Sequence, residues 1–338
     1  MCAALLICVL LLLTPLTGCS GLQRYSVTYA DVFDTVTTFT AYASSREAFH
    51  AAAEQLHAQL LEDHRRFDVY REYAGQVNLC TVNRLAPSET VAVDEALMAL
   101  LVFGKEAYAL SEGRLNIAMG AVLTLWQTAR EQAAADPASA APPEAERLQR
   151  AMEHCRMEDL ELDPEAGTVR FLDPELRLDV GAIAKGLAQA RAKDLLEAVG
   201  LNAWLLNMGG SVSCLGLKPD GSPWTIGLED PLDKSMAMRT FPLTDSCAVT
   251  SGVDQRYFLA GETRYHHLID PETGYPGTLY TQVTVLLPDA GMADALSTAL
   301  FLLDTDRGKA LASELGAQVF WVLPDGSTVQ TAGFPALN

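Results

Sequence analysis

Basic residues are scarce in this 338-residue chain. Lysine and arginine together number 24 against 43 aspartates and glutamates, which leaves a formal net charge of −19 at pH 7. A nucleic-acid-binding protein needs a basic face, so this balance argues against that class. An acidic protein that binds a phosphate compound must instead offer helix N-termini, a few local cations or a metal ion.

Cysteine is also sparse, and its spacing excludes two common kinds of site. The chain has seven cysteines, and Cys80, Cys155, Cys214 and Cys247 are those that lie beyond Cys19. Their wide separation fits neither a zinc motif nor a small disulfide scaffold. We expect small buried side chains, with a disulfide as the alternative outside the cytoplasm.

Long apolar runs are limited to the start of the chain. Residues 1–18 carry no charged side chain, and Cys2–Leu13 is short for a membrane span but typical of the apolar part of a signal peptide. The sequence Leu16-Thr17-Gly18-Cys19 resembles a lipoprotein cleavage site. We predict a signal peptide over 1–18, a lipidated tether over 19–26 that begins at Cys19, and one domain over 27–338. This predicts a lipid-anchored protein on the extracytoplasmic face of a cell membrane; the alternative is an uncleaved anchor.

Strand and helix signals alternate along the rest of the chain. Hydrophobic residues make up 49% of the sequence, enough for a sizeable core. The alternation predicts an α+β fold, with a mixed β-sheet core and helices packed outside. Ser45–Phe67 has the pattern of an amphipathic helix capped by Ser44 or Ser45. Its histidines at positions 50, 57 and 64 are interpreted as a partly exposed face rather than a metal site.

Three shorter segments carry predictions about local pairing. Asn78–Asn83 is expected to be a short strand or turn. Thr168–Leu172 and Leu176–Val180 are expected to form one hairpin, and Val212–Leu217 and Trp224–Leu228 another.

The segment Leu178–Gly186 reads Leu-Asp-Val-Gly-Ala-Ile-Ala-Lys-Gly. A strand that runs into small residues, a lysine and a helix is typical of a phosphate cradle, because helix-start N–H groups and Lys185 would face the anion. It lacks the spacing of a Walker A loop. Tight strand–helix packing also requires small residues, so the segment alone leaves both interpretations open.

The segment Tyr265–Gly277 is dense in turn-forming residues. Asp270-Pro271, Thr273-Gly274 and Pro276-Gly277 predict a strand end that runs into a rigid loop of several turns. Such a loop would fix the side chains of His267, Asp270 and Thr273. A surface hairpin with an unremarkable histidine pair is the alternative.

Asp294 and Thr298 lie four residues apart in a predicted helix, Met292–Leu303. This spacing places a carboxylate and a hydroxyl on one face, which suits a hard cation such as Mg²⁺. The alternative is an N-cap aspartate beside a threonine that bonds back to the helix.

Taken in order, these three segments, with Leu206-Asn-Met-Gly-Gly210 and Thr250-Ser-Gly252 between them, resemble the ApbE family of FAD:protein FMN transferases. The resemblance runs from about Val27 to the C-terminus. It implies that FAD binds with Mg²⁺ at its pyrophosphate, and that a threonine hydroxyl of an acceptor flavoprotein attacks the phosphorus next to riboflavin. AMP then leaves, while the metal and a lysine offset the charge that builds on the pyrophosphate.

The resemblance also implies roles for individual residues. Asp294 and Thr298 match side-chain Mg²⁺ ligands, and the backbone carbonyl of Ala182 matches a third. His267 would activate the acceptor threonine, as base or as phosphate contact, and Asp270 would orient it or hold the loop. The catalytic candidates are His267, Asp270 and Lys185. The positions matched to cofactor binding are Phe33, Tyr70, Asn116, Asp179, Lys185, Gly209, Gly210, Ser251, His267 and Leu268.

Three departures from the family pattern lie on the flavin side, and one of them is Met119, which replaces a common threonine or proline-side residue. Phe33-Asp34-Thr35 stands where many members have Met-Gly-Thr, and Gly113-Arg-Leu-Asn116 stands where the family often has Gly-Ala-Phe-Asp. FAD is expected in a cleft between Asp179–Gly186 and His267–Gly274. The alternatives are a Mg²⁺-dependent FAD pyrophosphatase, with water in place of the threonine, a flavin-binding lipoprotein, and a solute-binding lipoprotein of another class.

Overall fold

The structure is a computed structural model that describes residues 21–231 and 239–338. The predicted signal peptide (1–18) and the predicted lipid site (Cys19) lie outside the described residues. The first strand begins at Gln23, so the sheet includes residues that the sequence assigned to the end of the tether.

Fifteen strands are described, and eight of them form one sheet. In chain order they are β1 (Gln23–Val32), β2 (Thr35–Ala43), β3 (Val91–Ala92), β4 (Leu160–Asp163), β5 (Thr168–Phe171), β6 (Trp204–Met208), β7 (Ser211–Leu215), β8 (Trp224–Leu228), β9 (Arg239–Leu243), β10 (Ser246–Gly252), β11 (Phe258–Ala260), β12 (Thr263–Tyr265), β13 (Gln282–Leu287), β14 (Gln318–Val322) and β15 (Thr328–Gln330). The main sheet has the order β1-β2-β6-β7-β10-β13-β14-β15. Where the sequence predicted a mixed sheet, every ladder described in the main sheet is antiparallel.

Helices cover one face of this sheet. The described α-helices are α1 (Arg46–Phe67), α2 (Leu79–Leu85), α3 (Glu95–Leu110), α4 (Gly120–Ala135), α5 (Ala145–Met152), α6 (Ala184–Ala198), α7 (Ala290–Leu302) and α8 (Thr305–Glu314). Strand side chains alternate between faces, and Phe39 and Leu206 pack with α1 and α6 while Val249 and Val285 pack with α7. Helix α1 begins as predicted, because the Ser45 hydroxyl accepts the Ala48 N–H at 3.1 Å.

The other face of the sheet is covered by the two-stranded ribbon β8–β9. Trp224, Ile226 and Phe241 of this ribbon pack with Ala248 and Leu286 of the sheet. Two further groups flank the sheet: α2 and α3 pack with the small sheet β3-β5-β4, and α4 and α5 pack with β11–β12. The α+β prediction is confirmed.

The prediction for Asn78–Asn83 is wrong. Asn78 is the N-cap of α2, because its side-chain oxygen accepts the Thr81 N–H at 3.0 Å. An asparagine that satisfies the first free N–H groups favours a helix over a strand.

Both predicted hairpins are also wrong. In Leu176–Val180 the main chain of Leu178 pairs with the side chain of Asn83, at 2.7 and 2.9 Å, rather than with a strand. Strand β5 pairs with β3 and β4 instead. Strand β8 pairs with β9, while β7 pairs with β6 and β10. Sequence proximity suggested both hairpins, and tertiary packing overrode it.

The four cysteines that lie in the described residues are free thiols. Cys214 and Cys247 are buried as predicted, and Cys80 and Cys155 are half-buried. Across residues 21–231 and 239–338, no helix combines the length and the apolar character that crossing a membrane requires.

Candidate active site

A cleft of about 450 Å³ opens at the end of the main sheet where β6 and β10 end and α6 begins. It brings together most of the residues that the sequence singled out. Those that line it are Phe33, Tyr70, Asn116, Asp179, Ala182, Lys185, Gly209, Ser251, His267, Leu268, Asp294 and Thr298. Gly210 lines a neighbouring cleft instead, and Asp270 lines neither.

The N-terminus of α6 meets α7 at a glycine. The Gly186 N–H donates to the Asp294 carboxylate at 2.8 Å. A Cβ on Gly186 would lie 2.5 Å from the Asp294 Cβ and 3.0 Å from the Gly291 Cα. Only glycine permits this approach, so the small residues of the cradle serve helix packing as well as the cleft.

Asp294 is a buried carboxylate with few partners. It is 4% exposed, and burial raises its pKa against the opposing effects of Lys185 and the Gly186 N–H. One oxygen accepts from Gly186, and the structure records no hydrogen bond to the other among the described residues. A charged or half-satisfied carboxylate in such a place calls for a cation.

The alternative interpretation of the Asp294–Thr298 pair does not hold. The N-cap of α7 is Asp289, whose side chain accepts the Met292 N–H at 2.8 Å. The hydroxyl that bonds back to the helix is Ser297, which contacts the Asp294 carbonyl at 2.9 Å. Both predicted ligands therefore remain available on the cleft wall.

Oxygen donors at this wall fit a hard cation such as Mg²⁺, which is commonly held by one or two carboxylates together with substrate phosphates and water. No group of three or more His, Cys, Asp or Glu side chains is placed to hold a metal in the parts of the chain that are described. The expected ligand set contains a single carboxylate, so a site of this kind would depend on the substrate to complete it. The histidines of α1 form no such group either: His57 contacts Asp31 at 3.0 Å, and His64 accepts the Phe33 N–H at 3.1 Å.

His267 lines the same cleft as the metal candidates and is neutral. Burial, followed by the charge of Arg256, lowers the pKa of His267 to about 3. Its Nδ1 lies 3.1 Å from the carbonyl oxygen of Gln255. A carbonyl only accepts, so Nδ1 carries the proton and Nε2 keeps its lone pair. The side chain is thus prepared to accept a proton or a hydrogen bond at Nε2.

The loop that carries His267 is held by its own bonds and by two residues that the sequence did not single out. Of the two roles expected for Asp270, the geometry fits holding the loop, since its carboxylate accepts the Glu272 N–H at 2.9 Å. Arg114 binds Asp270 at 3.1 Å and Glu272 at 2.7 Å. The Trp126 ring N–H donates to the Gly274 carbonyl at 2.8 Å.

One side of the cleft is built on a tight turn. Phe33 and Asp34 both have positive φ, at 53° and 50°, in the turn between β1 and β2. Asp34 stands where the family pattern has glycine, and aspartate is among the few residues that tolerate this conformation. The Asn116 side chain already has hydrogen-bond partners within the fold. Its amide N–H donates to the Cys155 carbonyl, and its amide oxygen accepts the Ala118 N–H.

Three cations line the cleft, and the sequence pointed to only one of them. They are Arg130, Lys185 and Arg256, and the structure records no ion pair for any of them within the described ranges. Asp179 faces the same space, and burial raises its pKa against its bond from the Gly181 N–H. An acidic protein that keeps three cations unpaired in one cleft is suited to an anionic ligand.

Ser211 is a further residue that the sequence missed. It lines the cleft, is 2% exposed, and its hydroxyl has no hydrogen-bond partner in the part of the chain that the structure describes. A buried hydroxyl without a partner costs about 1–3 kcal/mol. A ligand in the cleft would remove that cost. In the sequence, the position of Ser211 directly after Gly209-Gly210 could have indicated that it lies in the cleft.

A helix N-terminus, unpaired cations and a neutral histidine around one cleft define an α+β protein equipped to act on a phosphate ester. The profile of the ApbE family matches residues 33–321, and the chain belongs to this family. The resemblance seen in the sequence is therefore confirmed.

Individual relatives agree with this assignment. The chain is 31% identical over 300 residues to an FAD:protein FMN transferase of Treponema pallidum, covering 84% of this chain and 80% of the relative. It is 30% identical over 247 residues to an FAD:protein FMN transferase of Vibrio cholerae, covering 72% of each. The crystal structure of the ApbE protein from Thermotoga maritima superposes with a TM-score of 0.82 at 27% identity, covering 92% of this chain and 97% of that one.

Proposed function

We propose that this chain is an FAD:protein FMN transferase that moves FMN from FAD to a threonine hydroxyl of an acceptor protein and releases AMP. The observation that carries the proposal is the cleft itself, in which unpaired cations and a buried carboxylate face a neutral histidine. FAD offers a pyrophosphate of matching charge. The names of the relatives support the same reaction.

In the proposed mechanism, the α6 N-terminus and Lys185 hold the pyrophosphate. Asp294, Thr298 and the carbonyl of Ala182 would hold Mg²⁺, which when bound neutralises pyrophosphate charge and polarises the phosphorus. The Nε2 atom of His267 accepts the proton of the acceptor hydroxyl.

The threonine oxygen forms a bond to the phosphorus next to riboflavin, and the bond from that phosphorus to the bridging oxygen breaks. AMP leaves with the bonding electron pair. Burial is the largest cause of the low pKa of His267, and the negative charge of FAD would offset the smaller effects of Arg256 and Lys185.

The test uses the domain, FAD, Mg²⁺ and a threonine-bearing acceptor domain, purified free of flavin. We expect the intact mass of the acceptor to rise by one FMN and the gain to disappear with EDTA. Asp294→Asn should abolish the gain while leaving the fold intact, and Asp289→Asn is the matched control on the same helix. Free FMN and AMP without a mass gain would show a pyrophosphatase. Unchanged FAD with this acceptor and with a second one, together with bound flavin, would show a flavin-binding protein.

We also propose that Cys19 carries a lipid that anchors the domain at the extracytoplasmic face. The apolar run Cys2–Leu13 and the sequence Leu16-Thr17-Gly18-Cys19, which resembles a lipoprotein cleavage site, support the proposal. Labelled palmitate should be incorporated into the full chain but not into a Cys19→Ser variant, and equal labelling of both would contradict it.

A further inference from the structure

A second cleft of about 380 Å³ lies beside the candidate active site. The two clefts lie largely on opposite faces of the main sheet. Val249 and Ser251 of β10 point to the helix-covered face and line the first cleft, whereas Ala248 points to the ribbon-covered face and lines the second. Thr250 lines both.

The two clefts meet where the β6–β7 hairpin ends. Gly209 and Gln255 line both of them, as Thr250 does. Gly209 and Gly210 form the two-residue turn of that hairpin with φ of 62° and 93°. A turn without side chains leaves a low rim between the two faces of the sheet.

His267 is joined directly to this rim. Its Nδ1–H donates to the carbonyl of Gln255 at 3.1 Å, so the ring is fixed to a residue that both clefts share. The proposed proton acceptor therefore lies beside a residue that lines both clefts.

The chemistry of the second cleft differs from that of the first. Among its described lining residues there is no lysine or arginine. Its hydrogen-bonding side chains are six amides and hydroxyls and two carboxylates: Asn207, Thr225, Thr250, Gln255, Gln282, Thr284, Glu229 and Asp254. Groups of this kind match the N–H and C=O groups of an extended peptide and small polar side chains. They suit a phosphate poorly, because nothing described there offsets its charge.

Strand β8 adds a second feature that suits an extended peptide. Thr225–Leu228 form one wall of the second cleft. Strand β8 pairs with β9 on one side, and no ladder is recorded on its other side within residues 21–231 and 239–338. An open strand edge can bond to the main chain of an added segment.

We propose that the second cleft binds the extended, small-side-chain segment of the acceptor protein that carries the reactive hydroxyl. The inference rests on the transferase function proposed above. The segment lies along β8 and delivers its hydroxyl over Gly209 to His267, while FAD occupies the first cleft.

The experiment fills the second cleft without touching the first. Thr225 is exposed and lines only the second cleft, and tryptophan is well tolerated in strands. For Thr225→Trp we expect the KM for the acceptor used above to rise about tenfold or more, which corresponds to about 1.4 kcal/mol. The KM for FAD and the affinity for FAD should stay unchanged. Thr328→Trp, at an exposed threonine of β15, is the matched control and should change nothing.

Each other outcome has a definite meaning. If the KM for the acceptor stays the same in Thr225→Trp, the second cleft is not the acceptor site, although the transferase stands. If the KM for FAD rises instead, the second cleft holds part of FAD and the inference fails. If the wild-type protein modifies no acceptor, the proposed function fails and the inference with it. Thr225→Gln gives the same readout if tryptophan prevents folding.

Discussion

Gly186→Ala should lower both the stability of the fold and the rate of FMN transfer, because α6 and α7 pack so closely at Gly186 that no Cβ atom fits between them. The new Cβ would lie 2.5 Å from the Asp294 Cβ, whereas carbon atoms normally contact at about 3.5–4.0 Å. The helices must therefore separate by about 1 Å. That movement also stretches the 2.8 Å bond from the Gly186 N–H to the Asp294 carboxylate.

The expected cost follows from these two effects. Overpacking costs about 1–3 kcal/mol, and loss of a hydrogen bond to a charged group costs about 1.5–3 kcal/mol. The better helix propensity of alanine offsets about 1 kcal/mol. We expect the free energy of unfolding to fall by about 2–5 kcal/mol. A displacement of Asp294 by about 1 Å should lower the rate of FMN transfer about a hundredfold.

Urea unfolding measures the first quantity, and the initial rate of acceptor mass gain measures the second. The matched control is Gly308→Ala in α8, where the nearest neighbour of a new Cβ is Trp321 at 3.3 Å. It should change the free energy of unfolding by no more than about 1 kcal/mol and leave transfer intact. A Gly186→Ala protein with wild-type stability and wild-type transfer would refute the close-packing argument.

Three further substitutions test separate parts of the site. His267→Gln should lower the transfer rate about a hundredfold and leave the affinity for FAD unchanged. Because burial lowers the pKa of His267 to about 3, the stability of the wild-type protein should fall as the pH drops below about 6.5. Urea unfolding at pH 7 and pH 5 should show a smaller loss of stability in the variant. Arg114→Met removes the ion pairs to Asp270 and Glu272 from a side chain that is only 13% exposed. It should lower kcat about tenfold and leave the KM for FAD unchanged. Arg114→Lys should keep part of the kcat that Arg114→Met loses. Ser211→Ala should keep or raise stability by up to about 1 kcal/mol while weakening FAD binding measured by flavin fluorescence.

Each of these has an outcome that contradicts it. An unchanged transfer rate in the His267 variant would remove the proton acceptor from the mechanism. A rise in the KM for FAD in the Arg114 variant would mean that the loop binds FAD rather than positions the histidine. Loss of stability in the Ser211 variant would mean that its hydroxyl has a partner in the fold.

Local signals in the sequence predicted much of the fold. The N-cap at Ser45 and the multi-turn loop that carries His267 depend on nearby residues, and the structure confirms them. The failures involve partners far away in the chain. Leu178 pairs with the side chain of Asn83, a contact that no short-range pattern predicts.

The residues of the candidate site also divide into those that a local motif predicts and those that only the fold brings together. Asp294 and Lys185 stand in recognisable motifs, and both line the cleft. Arg130 and Arg256 reach it from a helix and a loop that carry no motif, so only folding brings them there. The position of Asp270 outside the cleft depends on Arg114, which lies 156 positions away in the sequence.

Strand β1 forms one edge of the main sheet, and its outer side is unpaired among the described residues. Such an edge offers main-chain N–H and C=O groups to any extended chain and is a route to aggregation. Charged side chains at Arg24 and Asp31 and the register shift between Tyr29 and Val32 oppose this pairing. Affinity tags for purification should therefore join ahead of Gln23 through a charged or proline-containing linker, so that the fusion does not lengthen the edge and promote association of copies in storage.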